Sequence, residues 1–115
     1  MNDEILNIFK DFEVDGVQIP VSLIRYEGHG KEPYVVFMRE DDANTLSADD
    51  ALQAWVTYYD FDIYSKTNYL AIAQAVRDKL EAAGWTWQPS RSNFDNFEQD
   101  TGYYHLTLNF AKERS

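Results

Sequence analysis

The segment 54–87, AWVTYYDFDIYSKTNYLAIAQAVRDKLEAAGWTW, changes its hydrophobic period and thereby predicts a strand, a helix and a second strand. From Trp55 to Ser65 every second residue suits a buried face, while Asp60 and Asp62 fall on the opposite parity. That alternation is typical of a strand with one face in a core. The helix is predicted from residues spaced by three and four, which share one stripe of a helical surface: Tyr69, Ile72, Ala73, Val76, Leu80 and Ala83.

Residue types at both ends of this helix predict where it begins and ends. Ser65 or Thr67 can cap the first turn by accepting a backbone N–H. Gly84 can adopt the left-handed conformation that closes the last turn. The strand that follows is expected to end near Pro89, because proline has no N–H to donate to a sheet.

Composition and charge limit the class of protein. A chain of 115 residues is expected to form a single domain over residues 1–115. Its aromatic content of 16% favours a folded, β-rich protein. No segment approaches the roughly 20 apolar residues of a membrane span, and the acidic start is unlike a signal peptide, so we expect a soluble protein made in the cytoplasm. A net charge of −10 argues against sequence-independent binding to DNA or to an anionic membrane.

The rest of the chain supplies four further elements and three connections. Ile5, Ile8, Phe9 and Phe12 predict a short amphipathic helix that Asp15-Gly16 would end, and a helix of that length must pack on something. The remaining predictions are strands at 17–26 and 34–40 joined by a hairpin loop at 27–33, a mobile loop at 41–53, a turn-rich connection at 90–102 and a last strand at 103–111. Pro20 places the first of these strands at a sheet edge or a bulge.

These elements predict an α+β fold. The order is α-β-β-β-α-β-β, with about five strands, a short N-terminal helix and one central helix. Short connections favour a mainly antiparallel sheet with helices packed on one face, which makes a two-layer domain.

Enzyme and metal motifs receive little support from the sequence. The triplet 100–102, Asp-Thr-Gly, matches that of aspartic proteases, but it follows Glu98-Gln99 and precedes a tyrosine pair, so a turn before a strand is the better interpretation. His29 and His105 stand apart from one another and from spaced carboxylates. The chain has no cysteine and none of the glycine-rich or HExxH signatures, so we expect neither an enzyme nor a cofactor. Acidic pairs that could hold Ca²⁺ or Mg²⁺ are better explained as solvated faces: Asp60 and Asp62, Asp41 and Asp42, and Asp49 and Asp50.

Tyrosines on the outer parity of two strands suggest a protein interface. Tyr58 and Tyr64 share their parity with Asp60 and Asp62, and Tyr103 is placed in the same way on the last strand. Exposed tyrosines are enriched in interfaces, where a rigid ring buries much area at low entropic cost. The alternative is that a further layer or the N-terminal helix covers them. If the interface interpretation is right, the protein is an oligomer.

Several stretches, in order along nearly the whole chain, resemble the tail terminator and tail-completion proteins of long-tailed bacteriophages and prophages. They are Ile19-Pro20-Val21, the run Tyr34-Val35-Val36-Phe37 and the strand from Tyr58 to Tyr64. The most specific is the run at 97–105, FEQDTGYYH, which is similar to the Tyr/Phe-Glu-x-Asp-Thr-Gly-x-Tyr-His run of that group.

The resemblance implies a structural virion protein. Proteins of that family form a ring, commonly hexameric, which caps the tail tube, offers a surface for head joining and lets DNA pass without specific binding. The expected partners are therefore further copies of the chain, the tail tube protein and a head-completion protein, in the virion and, during assembly, in the host cytoplasm. Candidate contacts are Tyr58, Asp60, Asp62, Tyr64, Tyr103, His29 and Lys31, and candidate channel-lining residues are Asp41, Asp42, Asp49 and Asp50.

Two other functions stay open. A head-completion or adaptor protein at the same junction would also be small, acidic and ring-forming, although we would expect it to be more helical. A small ligand-binding domain would need polar groups that converge in an apolar pocket. The strand parities place no titratable residue inward.

Overall fold

The computed structural model describes residues 2–24, 33–44, 55–98 and 102–114. The N-terminal elements are short, and the long strands of the main sheet follow them. In chain order they are α1 (Asn2–Ile8), β1 (Glu13–Val14), β2 (Val17–Gln18), β3 (Val21–Leu23), β4 (Tyr34–Asn44), β5 (Trp55–Ser65), α2 (Tyr69–Ala82), β6 (Thr86–Trp87), a 3₁₀ turn (Pro89–Arg91), β7 (Asn93–Glu98) and β8 (Tyr103–Arg114).

The main sheet is built around β5, whose predicted bounds are confirmed. Its order is β3-β4-β5-β8-β6, with β7 also paired to β8. β5 is antiparallel to both β4 and β8. Helix α2 and α1 pack on the same face of this sheet, where their apolar side chains join those of the strands in one core. The predicted α+β class and mainly antiparallel sheet are confirmed.

Helix α2 begins and ends close to the predicted positions, although its start is not capped as expected. Asn68 is the N-cap residue, with φ of 52° and no side-chain cap hydrogen bond. Ser65 Oγ instead accepts the backbone N–H of Thr67 at 3.1 Å, so this hydroxyl serves the turn before the helix. At the other end Gly84 has φ of +92°, and the N–H of Trp85 donates to the carbonyl of Leu80, as a left-handed helix end requires.

The N-terminal helix packs in the core, but Asp15-Gly16 does not end it. Both residues have positive φ, 52° and 80°, and they form the two-residue turn between β1 and β2. An Asp-Gly pair favours this turn because its twist matches that of an antiparallel hairpin. Phe9 and Phe12, which follow α1, are buried beside Ile5.

The predicted hairpin between 17–26 and 34–40 is wrong. Residues 17–18 pair with β1, and β3 lies parallel to β4, with Val21 opposite Val35. Pro20 interrupts the predicted strand between these two pairings, and its carbonyl accepts the N–H of Val35. Two parallel neighbours cannot be joined as a hairpin.

Two predicted connections contain strand. β4 continues through a bulge after Arg39 as far as Asn44, and therefore takes up the first residues of the predicted 41–53 loop. The predicted 90–102 connection contains β7, which pairs with β8 through a second irregularity. Polar residues can form a strand when a neighbouring strand supplies hydrogen-bond partners for their backbone. Composition alone therefore did not predict these two strand segments.

The hydroxyl of Thr57 is a polar group buried in this core. Thr57 on β5 is 1% exposed, and within the described part of the chain its Oγ1 has no hydrogen-bond partner. A buried hydroxyl without a partner costs free energy, because water solvated it in the unfolded chain.

We expect Thr57→Val to stabilise the protein. Valine keeps the shape and removes the hydroxyl, so the free energy of unfolding should rise by about 1 kcal/mol. Urea denaturation measures the change. Thr57→Ser is the matched control, since it keeps the hydroxyl and loses the methyl group, and it should be destabilising. A valine variant less stable than the native protein would show that Oγ1 is satisfied.

Candidate functional site

The face of the main sheet that lies away from both helices carries most of the predicted contact residues. We call it the open face. Along β5, the core side chains Tyr59, Phe61 and Ile63 are buried, and the residues between them are half-buried on the open face. Its members come from three neighbouring strands: Tyr34, Tyr58, Asp60, Asp62, Tyr64, Tyr103, His105, Thr107 and Asn109.

A row of stacked rings crosses the open face. Tyr64 stands opposite Tyr34 on one side and His105 on the other. Its ring is stacked on both, with centroid distances of 4.7 Å to Tyr34 and 4.3 Å to His105. Cross-strand ring pairs of this kind stabilise a sheet and fix the side-chain rotamers. The aromatic surface is therefore ordered before any partner arrives.

Tyr103 lies in this row but is not exposed, contrary to the sequence-based expectation. Only 4% of it is accessible. The rings of Tyr34 and Tyr64 meet it edge-on at 5.7 and 6.4 Å, and the Lys66 ammonium lies 5.3 Å from its centroid. The predicted parity is right, but neighbouring side chains on the same face cover the ring. Among the described residues, the ring contacts of Tyr103 come from this face and not from the N-terminal helix.

Beside the rings runs a row of hydrogen-bonded carboxylates. Asp62 Oδ1 accepts a hydrogen bond from the Thr107 hydroxyl and lies 3.1 Å from His105 Nε2. Two residues further along, Asp60 Oδ1 accepts the Asn109 amide at 2.8 Å. The contacts with Thr107 and Asn109 join directly opposed residues of β5 and β8, and the contact with His105 is diagonal. The two carboxylates therefore hold the strands together and give the open face its acidic character.

Tyr58 ends the face and contacts the 3₁₀ turn. The Arg91 guanidinium lies 3.7 Å from the centre of the Tyr58 ring, a cation–π contact. The turn itself is held by Ser92, whose Oγ accepts the indole N–H of Trp87 and the backbone N–H of Asn109. Arg91 thus places a positive charge beside the Tyr58 end of this face, as Lys66 does beside Tyr103.

Asp62 should be the carboxylate on this face that contributes most to stability. In Asp62→Ala, the Thr107 hydroxyl and the His105 ring lose a half-buried partner, so the free energy of unfolding should fall by about 1–2 kcal/mol. A double-mutant cycle with Thr107→Val should give a coupling of about 1 kcal/mol. Asp78→Ala, on the exposed side of α2, is the control and should change stability by less than about 0.5 kcal/mol. Additive effects of the Asp62 and Thr107 substitutions would contradict the contact.

Of the remaining predicted residues, two lie in β4 and four lie outside the described residues. Asp41 and Asp42 belong to β4, where they stand opposite Tyr58 and Thr57. Four other candidates lie outside the described residues: His29, Lys31, Asp49 and Asp50.

Sequence reasoning misses other members of this face. It does not single out Tyr34 or Thr107 as members, Arg91 as a contact of Tyr58, or the role of His105 beside Tyr64. A signal for Thr107 and His105 exists, because both share the outward parity of β8. Their partners depend on the register between β5 and β8, which the sequence does not contain.

The chemistry of the open face suits contact with another protein. Its rings offer apolar area, and its carboxylates offer hydrogen-bond acceptors that already have partners. In the described part of the chain no group of three or more His, Cys, Asp or Glu side chains converges as a metal site would require. None of the helices described is long and apolar enough to cross a membrane.

No family model matches this sequence, and no curated protein matches it either. The residue pattern, the charge and the geometry of the open face are therefore what indicate a function.

Proposed function

We propose that this protein is a structural virion protein of the tail terminator kind. In this role copies of the chain form a ring that caps the tail tube, presents a surface for head joining and surrounds a channel for DNA. The observation that carries the proposal is the open face, a pre-ordered tyrosine-rich surface on the side of the sheet away from the helices. The resemblance of the run at 97–105 to that family supplies the class of assembly.

The open face supports an interface role because its rings are already fixed. A side chain that loses little rotamer freedom on binding gives more net affinity for the same buried area. The Tyr34, Tyr64 and His105 stack meets this condition. Tyr58 is similarly held by Arg91. These are the properties expected of interface anchors.

The net charge of −10 supports a role around DNA that does not bind it. Carboxylates repel the phosphate backbone, so an acidic channel would let the duplex slide. A closed ring also needs two different complementary surfaces on each subunit, since its contacts are head-to-tail. The partners proposed are further copies of the chain, the tail tube protein and a head-completion protein.

A head-completion or adaptor protein at the same junction is the second candidate. We would expect such a protein to be more helical. The described residues contain two helices against a six-stranded sheet, and this balance favours the terminator.

Size-exclusion chromatography with light scattering tests the proposal across a range of protein concentrations. We expect the native protein to form a concentration-dependent ring, and Tyr58→Ser with Tyr64→Ser to abolish it. Leu70→Ser is the matched control, because Leu70 is 60% exposed on α2, and this variant should assemble normally. Circular dichroism should show that all variants are folded. A native protein that stays monomeric at every concentration, or a double variant that assembles fully, would overturn the role of this face.

A further inference from the structure

One end of the main sheet is a three-stranded extension whose two outer edges pair with no further strand among the described residues. There, Asn44, Trp55 and Arg114 stand in one row across β4, β5 and β8. In the described part of the chain, β3 accompanies β4 only as far as Phe37. On the other side β6 accompanies β8 only as far as Ala111.

These two edges are residues 41–44 of β4 and 112–114 of β8. A strand edge presents a row of backbone N–H and C=O groups that can pair with a further strand, so folded proteins cover or exploit such edges. The two edges have similar lengths and lie on opposite sides of the same three strands. Each one could therefore receive the other from a neighbouring molecule.

We propose that the occupant of each edge is a second copy of this chain. Residues 41–44 of one copy pair with residues 112–114 of the next, so that the sheet continues from subunit to subunit. This inference rests on the proposed function in one respect, since it takes the assembly to be a closed ring. It supplies two unlike, complementary surfaces on each subunit, as a head-to-tail ring requires.

Strand direction agrees with a ring. β4 and β8 are each antiparallel to β5, so they run in the same direction. The rotation that generates a ring joins unlike edges, and here it gives a parallel ladder between copies. A two-fold axis would instead join like edges in antiparallel pairs.

Charge also favours unlike edges. Three consecutive acidic residues lie at the start of the β4 edge: Glu40 just before it, and Asp41 and Asp42 within it. The β8 edge contains Lys112 and Arg114 on either side of Glu113. Lys112 also donates a hydrogen bond to Glu4 within the same chain. Pairing two β4 edges would bring six acidic residues together, and like charges on adjacent strands are destabilising. The sequence charges therefore oppose the pairing of two β4 edges and favour pairing of the β4 edge with the β8 edge, which carries one net positive charge.

Disulfide trapping tests this pairing, because the native chain has no cysteine. Ala43 and Glu113 share one row with Val56 between them. They are therefore two strand spacings apart, about 9–10 Å, which is beyond the roughly 7 Å limit between Cα atoms for a disulfide. Any disulfide between A43C and E113C must therefore join two copies. A second double variant, D41C with E113C, tests a pairing between copies whose register is shifted by two residues.

We expect mild oxidation of one of these double variants to give a ladder of multimers on a non-reducing gel. The yield should be at least about ten times that of a Q74C and E81C control on exposed α2, because pairing raises the local thiol concentration towards the mM range. The single-cysteine variants should stay monomeric. Dimers from a single variant would mean that like edges pair, and a yield equal to the control would mean that the edges do not pair. Either result overturns the inference.

Light scattering on the native protein separates this inference from the proposed function. A ring in solution without cross-links would reject edge pairing and leave the ring standing on another surface. A monomer without cross-links would reject both. Cross-links in a protein that is monomeric when dilute would support edge pairing, since oxidation traps contacts that dissociate.

Discussion

Phe61→Ala is expected to lower the free energy of unfolding by about 3–5 kcal/mol, because it removes a large ring from the centre of the core. Phe61 lies at the middle of β5 and is fully buried. Its ring contacts aromatic rings from three directions, with centroids 5.8 Å from Phe37, 5.8 Å from Phe110 and 6.1 Å from Phe9. Alanine would leave a cavity among three separate elements that cannot all move inward.

Urea denaturation followed by tryptophan fluorescence measures this loss. Folded domains are stable by about 5–15 kcal/mol, so Phe61→Ala should shift the midpoint strongly or leave the protein partly unfolded. Phe61→Leu keeps most of the volume and should cost less than about 1.5 kcal/mol. Leu70→Ala, on the exposed side of α2, should change stability by less than about 0.5 kcal/mol. A small loss for Phe61→Ala would mean that the core around β5 can close.

The elements that can be predicted well are those in which local signals agree. β5 alternates without interruption, and α2 combines a helical stripe with a glycine stop, so their bounds follow from the residues between Trp55 and Gly84. The parallel contact between β3 and β4 could not be predicted in this way, because it depends on which strands meet in space. Pro20 predicts a bulge or an edge position, and it does interrupt the predicted strand, but nothing local indicates that Val21 pairs with Val35.

The open face is predictable in the same partial way. Alternation places Tyr58, Asp60, Asp62 and Tyr64 on one side of β5, and the structure has them there. Alternation cannot give the degree of burial, because that depends on the neighbours across the ladder. Tyr103 has the outward parity but is covered by rings from two other strands. The partners of each carboxylate likewise follow from the register with β8.

Phe9→Ala should destabilise the protein almost as much as Phe61→Ala, by about 3–5 kcal/mol. Phe9 is 4% exposed, and its ring meets that of Phe12 edge-on at 5.1 Å and lies 6.1 Å from Phe61. The seven-residue α1 is too short to be stable alone. Its helical structure must therefore be maintained by these contacts with the sheet.

Two measurements separate docking from intrinsic helix stability. A peptide of residues 2–12 should show almost no helical circular dichroism, because isolated helices shorter than about 12–15 residues are marginal in water. A double-mutant cycle between Phe9→Ala and Phe61→Ala should give a coupling of about 0.5–1.5 kcal/mol, the range for aromatic pairs. Lys10→Ala is the matched neighbour, exposed beside Phe9, and should be close to neutral. A helical peptide, or strictly additive losses, would mean that α1 forms independently of β5; coupled losses would make the first dozen residues part of the same cooperative unit as the central strand.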